Sequence, residues 1–136
     1  MNLPQSIRAQ LLTSTAISTT VGTRIKPISA AQSQGNMADT ILYRQVGRAD
    51  EESLNWRPSG VTRWQIAAVS QSYDSAYDLG VAVRACLDGF GTSGSNELGG
   101  SGGVRCKIRQ TDEFDEEDPE SGIFGLIGEY EISEEA

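Results

Sequence analysis

The stretch Val61–Phe90, VTRWQIAAVSQSYDSAYDLGVAVRACLDGF, decides the fold, because its hydrophobic period changes once, from two to about 3.6. Val61 to Val69 reads as a strand, with Trp64, Ile66 and Ala68 on one side and Arg63 and Gln65 on the other. From Ser72 onward the apolar positions Ala76, Leu79, Gly80, Val83, Leu87 and Phe90 keep the spacing of one helix face. Ser72 is placed to cap this helix and Asp74 suits the positive end of its dipole. Gly89 stands just past the end, where a left-handed residue commonly closes a helix. A long strand that turns straight into an amphipathic helix lets the helix fold back on the sheet. The unit displays no catalytic chemistry and points to a scaffold whose surfaces do the work.

Upstream, Leu3–Leu12 reads as a first helix, with Pro4 tolerable in its first turn and Leu3, Ile7 and Leu11 at helical spacing. The Thr/Ser-rich TSTAISTTVG that follows reads as an irregular connection ending at Gly22. Arg24–Ile28 is a short strand in which Pro27 argues for an edge or a strand end. Ala30–Asp39 is a polar surface loop and Thr40–Val46 a second strand of good β composition. Gly47–Gly60, long and charged, separates two strands and reads as an extended hairpin arm.

Downstream, residues 89–103 contain seven glycines and read as a mobile loop. Val104–Arg109 alternates, with Val104, Cys106 and Ile108 inward and Arg105, Lys107 and Arg109 outward. An acidic loop at 111–121 leads to a last strand in which Phe124, Leu126, Tyr130 and Ile132 share one parity and Glu129 and Glu131 the other. The order α-β-β-β-α-β-β predicts an α+β fold: a mainly antiparallel sheet of four to five strands with two helices packed on one face. A length of 136 residues fits one domain, 1–136, with long loops at 47–60, 89–103 and 111–121.

Composition removes several function classes. The net charge of −8 and pI near 4.4 repel nucleic-acid backbone and anionic membrane, although an acidic wall suits a passage through which DNA slides without sticking. The chain has no histidine, which removes the commonest general base and zinc ligand. No apolar run reaches the roughly 18 residues of a membrane span, and MNLPQSIRAQ has no signal core, which argues against secretion. Cys86 and Cys106 read as buried reduced thiols; a disulfide requires the helix to cross the strand at the right height.

The remaining constellations yield no site for chemistry. The glycine-rich loop lacks the Gly-Lys-Ser/Thr of a phosphate cradle and precedes a strand. The acidic segment 112–120 lacks the ligand alternation and central glycine of an EF-hand, and carboxylates on a loop do not hold the spacing of a glycosidase pair. The serines have only Lys26 and Lys107 as amine bases, in no recognisable motif. The row Arg105, Lys107, Arg109 pairs with Glu129 and Glu131 across a hairpin or contacts another protein. Trp56, beside Leu54 and Arg57 in the charged arm, either folds back on its own domain or anchors a partner.

Three segments together resemble the tail completion, or head-to-tail joining, proteins of long-tailed bacteriophages. They are Val21-Gly22-Thr23-Arg24-Ile25-Lys26-Pro27, then Ile41–Val46, then Arg63-Trp64-Gln65-Ile66 with Tyr73 and the helix end Val83-Arg84-Ala85-Cys86-Leu87. Asp39-Thr40 stands where the family usually has a proline before its second strand. The resemblance implies a virion protein with no catalytic residues, metal or cofactor. It implies a self-assembled ring, usually a hexamer, that terminates the tail tube and joins it to the neck. Its partners would be its own copies, the tail tube protein and the neck or head-completion protein, with DNA only passing through the lumen.

A ring requires one patch to meet a different patch on the next copy. Candidates for subunit or tail contacts are Leu54, Trp56 and Arg57 in the arm, Arg63 and Gln65 on the polar sheet face, Val81, Ala82 and Ala85 on the helix, and the basic row. A small non-enzymatic adaptor or regulator of similar fold is the alternative, and the oligomer size separates the two.

Overall fold

The computed structural model describes residues 1–28, 38–48, 60–92 and 94–135. Most of the expected loop Ala30–Asp39, and residues 49–59 of the expected arm with Leu54, Trp56 and Arg57, lie outside the described residues.

The chain opens with α1 (Leu3–Leu12), the span its periodicity predicts. A capping box starts it: the Gln5 N–H donates to Asn2 Oδ1 and the Asn2 N–H to Gln5 Oε1, both at 2.9 Å. Next comes α2 (Thr15–Val21), in a segment expected to be irregular. Threonine and serine are weak helix formers, so local propensity hides it. Burial decides: Ile17 and Val21, one turn apart, are both fully buried, and each such side chain contributes about 1.5–3 kcal/mol. Ser14 caps the start, and the Thr19 and Thr20 hydroxyls donate to the carbonyls of Thr15 and Ala16 at 2.8 Å.

The strands β1 (Ile25–Pro27), β2 (Thr40–Arg48) and β3 (Val61–Ser70) follow, then α3 (Tyr73–Leu87), β4 (Cys106–Asp118) and β5 (Ile123–Glu134). They form one sheet in the order β1-β2-β3-β5-β4. β1 runs parallel to β2 and the other neighbours are antiparallel, so the sheet is mixed. β1 takes an edge, as Pro27 requires. The fold is α+β, with three helices among the described residues where two were expected.

Helices α1, α2 and α3 supply one layer of the main core, and the sheet supplies the other. Trp64, Ile66 and Ala68 of β3 point into it, beside Ile41 of β2 and Tyr130 and Ile132 of β5. Ser72 caps α3, and Gly89 takes φ +81° just past its end. The opposite face is free of helices. It was expected to be the polar face, and it also carries a small apolar cluster of Leu42, Ala67 and Val69 with Ile123 and Ile127.

Two further expectations change. Residues 89–103 were expected to be mobile, but the described part is folded against α1. Leu98 is fully buried, the Val104 N–H donates to Ser6 Oγ at 3.0 Å, and the Gly99 N–H to Gln10 Oε1 at 3.1 Å. Gly99, at φ +84°, lies so close to α1 that a Cβ there would stand 2.7 Å from that of Ala9. The acidic segment expected as a loop at 111–121 is mostly strand, since β4 continues to Asp118. Pairing with β5 holds it extended despite a composition poor in β formers.

Both thiols are free. Cys86 Sγ donates to the Gln10 carbonyl at 3.2 Å and ties α3 to α1. Burial raises its pKa, partly offset by hydrogen bonds from Gln10 and Thr13.

Candidate functional site

Register gathers several candidate residues on the helix-free face. Arg63 and Gln65 alternate with the core residues of β3, and Glu131 and Glu129 of β5 stand opposite them. Arg109 lies opposite Glu131 and Lys107 opposite Ser133, on the same face. Arg63, Gln65, Arg105, Lys107 and Arg109 therefore share one surface. The remaining described candidates do not join it. Val81 and Ala82 are half-buried on α3, Ala85 is exposed, and Ala82 lines a depression of about 320 Å³ with Ala16 and Thr20 of α2.

A polar chain crosses three strands of this face. Arg44 Nε donates to Gln65 Oε1 at 3.0 Å, and Gln65 Nε2 donates to Glu129 Oε2 at 3.1 Å. Arg109 Nη2 pairs with Glu131 at 3.0 Å and Arg105 Nε with Glu135 at 3.7 Å. These exposed pairs contribute little to stability. Sequence parity anticipated Arg109 with Glu131, but Glu129 accepts from Gln65 and Arg105 reaches Glu135 just past β5; parity did not show Arg44, which requires the β2–β3 register.

The other feature missed in the sequence arises from an irregularity in β4. Gln110 pairs with Tyr130 and Asp112 with Glu129, so Thr111 is an extra residue in the ladder. Such a bulge reverses the parity of everything after it. Without it, 113, 115 and 117 would share the face of Arg105, Lys107 and Arg109. With it, Glu113, Asp115 and Glu117 stand opposite Gly128, Leu126 and Phe124, on the helix side. There α3 meets them: Arg84 Nη1 pairs with Glu113 Oε2 at 2.9 Å and the Tyr73 hydroxyl donates to Asp115 Oδ2 at 2.8 Å.

Tyr73, Phe124, Asp115, Glu116 and Glu117 wall an open depression of about 340 Å³. Tyr73 stacks with Tyr77 at 6.3 Å and meets Phe124 edge-on at 5.7 Å. Both tyrosines are among the most exposed large hydrophobic side chains of the described residues, at 44% and 46%. Donation to the charged Asp115 carboxylate, and that charge, raise the Tyr73 pKa, so its proton stays in the hydrogen bond. At the far turn, the Ser121 hydroxyl lowers the pKa of Asp118, to whose Oδ2 it donates at 2.9 Å.

Half of the outer edge of β4 is covered. Asn96 accepts from the Cys106 N–H, Phe90 from Ile108, and Asp88 Oδ1 from Gln110, each at 2.9–3.0 Å. Beyond the bulge the strand is dense in carboxylates, which oppose edge-to-edge pairing. Among the described residues no group of three or more His, Cys, Asp or Glu is placed to hold a metal ion. No helix among them is long and apolar enough to cross a membrane. The arrangement is one of two chemically different surfaces on opposite sides of one sheet.

Comparison with known proteins agrees with this architecture. No curated protein matches the chain in sequence. A solved chain from the virion of the native gene transfer agent particle shares the fold, with a TM-score of 0.66 over 98% of this chain and 95% of that one at 12% identity. A family model for tail completion protein gp17 matches residues 5–130. That match spans nearly all of the sheet and its three helices: the chain belongs to the tail completion protein gp17 family and is a structural protein of the phage tail, located in the virion.

Proposed function

We propose that copies of this chain assemble into a ring at the head-proximal end of the tail, terminating the tail tube and joining it to the capsid neck. The observation that carries the reading is the two-sidedness of the sheet. The helix-free face bears a hydrogen-bonded polar chain from Arg44 through Gln65 to Glu129, and the helix side bears an aromatic and acidic depression. A closed ring is built from heterologous contacts, which need two different patches on each copy. The membership in a tail completion family and the fold shared with a chain of a gene transfer agent virion support it. The partners are sibling copies, the tail tube protein and the neck protein, with Arg63 and Gln65 as contact residues. The lumen passes DNA without reading its sequence, in keeping with a net charge of −8.

The test is reconstitution. Particles made without this chain are expected to yield tails and filled heads that stay apart in electron micrographs. Purified chain, added back, restores joined particles and appears as extra density at the tail end. Normal joining in its absence would sink the proposal.

A further inference from the structure

The ring reading leaves open which surfaces meet, and the bulge at Thr111 supplies an answer. On the same strand, Lys107 faces the helix-free side while Asp115 and Glu117 face the helix side. At about 3.3 Å per residue they lie roughly 25 Å apart. Arg105 and Arg109 are engaged with Glu135 and Glu131. Lys107 is exposed and makes no ion pair among the described residues. Among the described residues Glu117 is likewise exposed with no ion pair, and Asp115 has only the neutral Tyr73 hydroxyl as a side-chain partner. Tyr73 and Phe124 provide aromatic walls of the kind that attract an ammonium group.

We propose that a second copy of this chain docks front to back on the first, its Lys107 entering the depression formed by Tyr73, Asp115, Glu117 and Phe124. This inference rests on the ring proposal and names its contact. Charge complementarity selects the occupant. A chain carrying −8 overall repels itself, so association requires local cations to meet local anions. The two patches lie on opposite sides of one sheet, so each copy that binds presents a fresh patch to the next. That is the geometry of a heterologous interface. An isologous dimer would need both contacts to form at once between the same two copies, which patches on opposite sides of one sheet disfavour.

The experiment is a charge swap between copies. Lys107→Glu and Glu117→Lys alter exposed side chains and leave the melting temperature unchanged. Each variant alone is expected to self-associate at least roughly tenfold more weakly than the wild type, because like charges then face each other. Mixed one to one, the reversed patch of each variant meets the reversed patch of the other. Assembly then returns to within about threefold of wild type, and the association weakens with added salt. Zero-length carbodiimide cross-linking of the wild-type assembly joins Lys107 to Asp115 or Glu117 of another copy.

Either variant assembling like wild type, or a mixture that stays dissociated, overturns the contact. So does a wild-type chain that remains monomeric at high concentration and with tail tubes present. Head–tail joining, scored separately, reads the ring proposal itself: normal joining by both single variants discards the Lys107 contact and leaves the ring standing.

Discussion

Gly80 of α3 lies against Leu126 of β5 with no room for a methyl group: a Cβ on Gly80 would stand 2.9 Å from both Cβ and Cγ of Leu126. This contact sets how closely α3 approaches the sheet, and so where Tyr73 and Arg84 meet β4. Gly80→Ala gains up to about 1 kcal/mol of helix propensity but overpacks the contact at a cost of about 1–3 kcal/mol. A net loss of about 1 kcal/mol is expected in chemical denaturation. Truncating the partner, in Gly80→Ala with Leu126→Ala, should cost less than the two single losses added. Strict additivity would show that the residues do not touch.

Ser6 fastens the glycine-rich segment. Its buried hydroxyl accepts from the Val104 N–H at 3.0 Å. Ser6→Ala leaves that N–H unpaired, at about 1–3 kcal/mol. Hydrogen exchange should quicken at Leu98 and Val104 well before it does in β3. Uniform change across the chain would count against a local fastening.

Thr62 Oγ1 accepts from Trp64 Nε1 at 2.8 Å, with both residues buried. Thr62→Val keeps the shape and removes the acceptor, so a loss of about 1–3 kcal/mol is expected. In a Trp64→Phe background the same change should cost much less, because no indole N–H remains to be stranded. Equal costs in the two backgrounds would refute the pairing.

Burial, with Glu134 and Glu135 nearby, pushes the Cys106 thiol from 9.0 up to about 12. A raised pKa means that the folded chain holds the proton longer than the unfolded chain does. The contribution is complete below pH 9 and is lost as pH rises towards 12. A loss on the order of 1 kcal/mol is expected by pH 10. Melting temperatures from pH 7 to 10.5 should fall less steeply in Cys106→Ala. Tyr130, also raised by burial, leaves a residual slope at the alkaline end. Identical slopes would remove Cys106 from the explanation.

Gln65 bridges Arg44 and Glu129 on the helix-free face. Gln65→Ala breaks an exposed polar chain, so stability should shift by under about 1 kcal/mol. Joined particles in the reconstitution assay should become scarcer, since the face loses the amide that links Arg44 to Glu129. A full yield would take this face out of the contact.

The elements that repeat a local period were legible. Leu3, Ile7 and Leu11 define α1, and the change of period at Ser72 separates β3 from α3. The alternation around Cys106 and Tyr130 placed the right residues inward. What stayed hidden depends on distant partners. Ile17 and Val21 make α2 a helix only because the core receives them, and Leu98 is buried only because α1 lies beneath it. The carboxylates from Asp112 to Asp118 form a strand because β5 pairs with them.

By itself the chain specifies a sheet with amphipathic helices on one side, and a charge pattern with no histidine-based chemistry. These follow from periodicity and composition, which are properties of neighbouring residues. Tertiary structure alone decided which side of the sheet the carboxylates beyond Thr111 occupy. One extra residue at Thr111 is invisible to local pattern, yet it turns the acidic half of β4 away from the basic half, because register is set by the partner strand.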